Sequence, residues 1–186
     1  MVYLLTELAC VKMEGYTKGR FMSKFAVVIT GLDGTGKSTT ARHIADMLPG
    51  EVRPIAESLR REMSVKFPEI DFWVKPTPPK VRKMMIHYGD IRRSEDLNYF
   101  IKKWHKSVGE GTPIIDDLRY ANELNYVKEY FDIYHVHLHR ECTRDERLGA
   151  FYHAKHNSLF SPAADRVIKS KSATALEIAT SIILDI

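Results

Sequence analysis

The segment Gly31-Leu-Asp-Gly-Thr-Gly-Lys-Ser38 has the spacing G-x-x-x-x-G-K-[ST]. Glycine tolerates positive φ and close approach, so successive backbone N–H groups in such a turn can converge on phosphate oxygens. A helix starting near Lys37 would add its positive N-terminal end. Lys37 is expected at the β- and γ-phosphates of ATP and Ser38 at Mg²⁺, with Gly31, Asp33, Gly34, Thr35, Gly36 and Thr39 completing the cradle. The plain alternative is a glycine-rich turn without a ligand. A buried strand before the motif and an amphipathic helix after it weigh against that.

Two further groups could serve phosphate chemistry. Asp116-Asp117-Leu-Arg119 closes an apolar strand, where one carboxylate beside the loop could hold Mg²⁺ through water. Asp117 is the preferred residue, and capping of the next helix is the competing role. Arginine suits phosphoryl groups because its planar fork binds them bidentately. The candidates are Arg60, Arg61, Arg92, Arg93, Arg119, Arg140, Arg144 and Arg147, each with a solvated surface role as the alternative. Arg144 and Arg147 join Lys37 as expected catalytic residues.

His135, His137 and His139 alternate along a strand and so share one face. Same-face neighbours lie about 7 Å apart, which is awkward for a single tetrahedral zinc. A polar sheet edge or a cover-facing role is the expectation instead. Trp73, Trp104 and the tyrosines are expected to pack rather than to stack on a base.

The elements that must position these residues follow an alternating pattern. Phe25 to Thr30 reads as a buried central parallel strand. Ala41, Ile44, Ala45 and Leu48 mark a helix stopped by Pro49-Gly50. A short strand is expected over 52–56, then helices marked by Val81, Met84, Met85 and Tyr88 and by Leu97, Ile101, Trp104 and Val108. Strands at 113–116 and 133–138 flank a helix bearing Leu124, Val127 and Phe131. A short strand at 165–169 and a C-terminal helix with Leu176, Ala179 and Ile183 complete the chain. The fold class is therefore α/β: a P-loop NTPase sandwich of about five parallel strands with helices on both faces.

The chain has 186 residues, 44% hydrophobic and 28% charged, which suits one globular domain. No apolar run approaches the roughly 20 residues of a membrane helix. Two cysteines, Cys10 and Cys142, make no disulfide framework, so a reducing, cytoplasmic setting is expected. The net charge of +4 is mild, and its basic residues are scattered among the motifs, which disfavours nucleic acid and favours a small anionic substrate. Residues 1–22 read as a disordered extension and 23–186 as the folded domain. A homodimer is compatible with this reading.

Ala56-Glu-Ser-Leu-Arg60, the segment from Val81 to Arg92, Asn98-Tyr-Phe-Ile101 with Trp104, and Asp117-Leu-Arg-Tyr-Ala-Asn-Glu123 resemble, in order, motifs of phage-type deoxynucleoside monophosphate kinases. The P-loop itself is similar to that of thymidylate kinases, and by that resemblance Asp33 is expected at the deoxyribose of the acceptor. The Asp-Arg-Tyr-x-x-Ser motif of thymidylate kinases is not matched, so the nucleobase stays open. The resemblance implies transfer of the ATP γ-phosphoryl group to a (deoxy)nucleoside monophosphate. Asp33, Arg60, Arg92, Arg93, Asp117 and Arg119 would bind that substrate. Alternatives are a small-metabolite kinase of the dephospho-coenzyme A or phosphomevalonate type, and a non-catalytic ATP-binding protein. A mobile cover over 140–161 is expected to bring Arg144 or Arg147 to the transferring group.

Overall fold

The computed structural model describes residues 24–32, 34–139, 161–169 and 172–186. The expected extension over 1–22, Asp33, and Arg144 and Arg147 in the expected cover lie outside the described residues.

Five strands, β1 (Lys24–Gly31), β2 (Gly50–Val52), β3 (Thr112–Ile115), β4 (Phe131–His139) and β5 (Arg166–Lys169), form one sheet in the order β2-β3-β1-β4-β5. Every neighbouring pair is parallel. β1 takes the centre because Ala26, Val27, Val28, Ile29 and Thr30 are buried on both faces. The helices are α1 (Lys37–Met47), α2 (Ala56–Lys66), α3 (Pro79–Glu95), α4 (Tyr99–Ser107), α5 (Ala121–Tyr130) and α6 (Ala175–Asp185).

The chain divides into two compact units. One holds the sheet with α1, α5 and α6. The other is Pro54–Gly109 and holds α2, α3 and α4.

In the sheet unit, Val27, Ile29, Ile114, Val136 and Leu138 project to one face. They pack with Ala41 and Ile44 of α1 and with Ile178 and Ile182 of α6. α1 leads from β1 toward β2 and α5 leads from β3 toward β4, so the chain crosses the sheet in opposite directions. Right-handed crossovers then put α1 and α5 on opposite faces. α6 starts at a capping box: Thr174 Oγ1 accepts from the Glu177 N–H at 3.2 Å, and Glu177 Oε2 accepts from the Thr174 N–H at 2.7 Å.

In the helical unit, α2, α3 and α4 pack pairwise. Leu59, Met63, Met85, Phe100, Ile101 and Trp104 are buried. Trp104 packs as expected, whereas Trp73 is 48% exposed. The strand expected over 52–56 is shorter and earlier. The Arg53 N–H still donates to the Ile114 carbonyl at 2.9 Å, but Pro54 has no N–H to continue the ladder. Helix α2 follows at once, a helix not anticipated because its buried stripe is only Leu59 and Met63. Among the described residues, no helix is long and apolar enough to cross a membrane.

Candidate phosphate-binding site

The loop between β1 and α1 is shaped by glycines. Gly31, Gly34 and Gly36 have φ of +147°, +83° and +92°. A Cβ at Gly31 would collide with the Leu138 carbonyl oxygen and lie 3.0 Å from Thr35 Oγ1. Gly31 is thus the residue that lets the loop leave β1 in contact with β4. Gly36 caps α1 in the left-handed conformation, with the Thr40 N–H donating to its carbonyl at 2.9 Å. The loop closes on the Leu32 carbonyl, which accepts from Thr35 Oγ1 at 2.8 Å and from Lys37 Nζ at 2.7 Å. Lys37 is half-buried, and Ser38 and Thr39 are exposed on the first turn of α1.

Asp116 and Asp117 differ in their surroundings. Asp116 is 6% exposed, and its Oδ1 has no hydrogen-bond partner among the described residues. Asp117 is half-buried. Ile114 pairs with Val27 and belongs to the core beneath α1, and Asp116 follows it by two residues, directly after β3. A buried carboxylate oxygen left unpaired is costly unless a cation or water completes it. The motif's Glu123, 3% exposed, accepts from the Arg119 and Tyr120 N–H groups at 3.1 and 3.2 Å and so closes the turn into α5. The Arg119 side chain is exposed.

A cavity of about 350 Å³ adjoins the loop. Thr35, Gly36 and Thr39 form one wall; Leu138, Ile168, Ala173 and Ile178 give it an apolar floor, with His139 and Thr174 at its margin.

The remaining arginines are engaged inside the helical unit. Arg60 donates to the Phe72 carbonyl and to Thr77 Oγ1, and Arg61 pairs with Glu57. Arg92 pairs with Glu62 at 3.0 Å and Glu95 at 3.2 Å. Arg93 lies over the Phe100 ring at 5.2 Å and 4.0 Å from Asp90. Glu62, which sequence reasoning missed, is the hub. It accepts from Tyr88 at 2.5 Å, from Tyr99 at 2.9 Å, from Arg92, and from Lys103. Burial alone would raise its pKa; the hydrogen bonds from Lys103, Tyr88 and Tyr99 outweigh that and hold it at about 2. No local pattern marks Glu62, because its partners are 26 to 41 residues away.

The histidines are not at a sheet edge, since β4 lies between β1 and β5. His135 and His137 are 0% and 5% exposed, and both reach Thr30 Oγ1. His139 is exposed.

A parallel β2-β3-β1-β4-β5 sheet with a glycine loop entering α1 after its central strand defines a P-loop α/β fold. Among solved structures, the chain is similar to the tunicamycin resistance protein of Deinococcus radiodurans, at 17% identity and a TM-score of 0.49 over 88% of this chain and 95% of that one. It is also similar to dephospho-CoA kinase from Campylobacter jejuni, at 12% identity and 0.49 over 86% and 95%. A gluconokinase from Sinorhizobium meliloti is similar at 13% and 0.44 over 89% and 94%. No family model and no curated protein matches the sequence.

Proposed function

We propose that this chain is an ATP-dependent phosphotransferase acting on a small-molecule acceptor. The observation that carries the reading is the positive-φ glycine loop, closed by Lys37 on the Leu32 carbonyl, with a 350 Å³ cavity against its Thr35, Gly36 and Thr39. In this reading the loop N–H groups bind the phosphates, and Lys37 brings its charge to the β- and γ-phosphates. The nucleoside rests on Ile168, Ala173 and Ile178. The residues present suit Mg²⁺: Ser38 offers an exposed hydroxyl, and Asp116 replaces Asp117 as the carboxylate because its buried Oδ1 lacks a partner among the described residues. The ion, when bound, would neutralise phosphate charge. Positioning and charge compensation suffice for phosphoryl transfer without a covalent enzyme intermediate.

The finer reading, a (deoxy)nucleoside monophosphate as acceptor, rests on the ordered resemblance across residues 56–123. Arg119, whose side chain is exposed, is then available to its phosphate. An alcohol-bearing metabolite is the second reading. It is favoured by Arg60, Arg92 and Arg93 each being held by partners within their own unit.

A coupled ADP-release assay over the eight common nucleoside monophosphates and a set of metabolite alcohols tests the proposal. Lys37→Ala should lower turnover by about 100-fold or more, with its circular dichroism unchanged. Turnover equal to the parent chain would remove Lys37 from its role.

A further inference from the structure

Thr30, His135 and His137 form a hydrogen-bond chain whose direction is set at one end. The Ala163 carbonyl, which can only accept, lies 3.2 Å from His135 Nδ1, so that nitrogen carries a proton. His135 is fully buried, and burial lowers its pKa to about 4, which leaves the ring neutral and its Nε2 an acceptor. The Thr30 hydroxyl has one proton and gives it to that Nε2, at 2.8 Å. Thr30 Oγ1 then accepts from His137 Nδ1 at 2.9 Å. A neutral His137 with its proton on Nδ1 has a bare lone pair on Nε2.

Nε2 of His137 makes no hydrogen bond with any described residue, although the side chain is nearly buried. The chain also abuts the phosphate loop: Thr30 directly precedes Gly31, and His137 is the register partner of Thr30 on the same face of the sheet. Burial, then His139 on β4 and Lys37 on α1, lower the His137 pKa and keep the ring neutral. Asp165 beside β5, His137 and Lys128 of α5 are the charged or titratable neighbours acting on His135.

We propose that His137 Nε2 accepts the proton of an acceptor hydroxyl as that oxygen attacks the γ-phosphorus, which makes the acceptor an alcohol. The O–H bond breaks and its proton forms an imidazolium at His137. The oxygen–phosphorus bond forms, the bond to the bridging oxygen breaks, and ADP leaves with that electron pair. The imidazolium returns the proton to solvent. This rests on the phosphotransferase reading and selects within it. A phosphate monoester, with a second pKa of about 6, is largely ionised at neutral pH and needs no such base. In a loose transition state the proton departs late, so a weak base serves, and its contribution should sit near the lower end of the usual range, about 100-fold.

The full chain with MgATP is assayed against nucleosides, hexoses, alditols and aldonates, and separately against nucleoside 5′-monophosphates. ADP binding is titrated in parallel. Turnover of an alcohol is expected. His137→Asn, whose amide can still donate to Thr30, should lower kcat about 100-fold with KM little changed. It should also lose the acid limb of the parent's pH profile, a limb lying below the ordinary histidine value. Thr30→Ser should retain activity and Thr30→Val should lose it. If no panel compound reacts, slow ATP hydrolysis, with water as the hydroxyl, provides the same His137→Asn comparison. Monophosphate turnover alone, or a parent-like kcat for His137→Asn, overturns the proposal while ADP binding leaves the phosphotransferase reading intact. A chain that binds no ADP overturns both.

Discussion

Gly31 and Leu138 are paired across β1 and β4 so closely that a Cβ on Gly31 would overlap the Leu138 carbonyl oxygen. Neither side can yield, because β1 and β4 are parallel neighbours along eight register positions. Gly31→Ala should therefore cost on the order of 2 kcal/mol of stability or more, through backbone displacement and an unfavourable φ. Denaturant unfolding measures that cost. Nucleotide affinity should fall as well, because the loop begins at the displaced residue.

Asp116 and Asp117 are adjacent in sequence and unlike in surroundings. If Asp116 holds the metal through water, Asp116→Asn should raise the Mg²⁺ concentration for half-maximal rate about 10- to 100-fold, as is usual for outer-shell partners. Asp117→Asn should change it far less. Magnesium titrations of both variants decide, and equal effects would return the assignment to an open choice between them.

Glu62 makes the stability of the chain depend on pH in a definite window. Its folded pKa of about 2 lies below the ordinary 4.5. The unfolded chain therefore binds more protons between these values, so stability is full above pH 4.5 and is lost as pH falls toward 2. Glu62→Gln removes the charge facing Arg92 and Lys103. It should lower stability at pH 7 by on the order of 2 kcal/mol and flatten the acid slope. Urea midpoints from pH 7 to 3 report both effects.

Arg144 and Arg147 are expected from sequence to reach the transferring phosphoryl group. Replacing each singly with alanine should lower kcat more than it raises KM for at least one of them, since a contact made in the transition state acts on kcat. Steady-state kinetics on the acceptor found in the ADP-release assay provide the measurement. Two variants with parent-like kcat would leave these arginines on the surface.

The sequence alone carried the phosphate loop, the central strand and the alternating α/β order. Each is written in local terms: glycines at fixed spacing, β-branched runs, and helical periodicity in Ala41, Ile44 and Leu48. Such signals need no knowledge of what a residue will meet. Tertiary structure decided the rest. Whether Asp116 or Asp117 turns inward depends on how β3 is registered against β1, and one residue of register reverses the faces. Helix α2 has too thin an apolar stripe to announce itself, and α3 and α4 supply the packing that its own pattern lacks. Arg60, Arg92 and Arg93 have the residue type of phosphate ligands, yet Arg60 bonds the Phe72 carbonyl, Arg92 pairs with Glu62 thirty residues away, and Arg93 lies between Asp90 and the Phe100 ring. Thr30 meets His135 and His137 across more than 100 residues of chain, so their pairing arises only when β1 and β4 lie side by side.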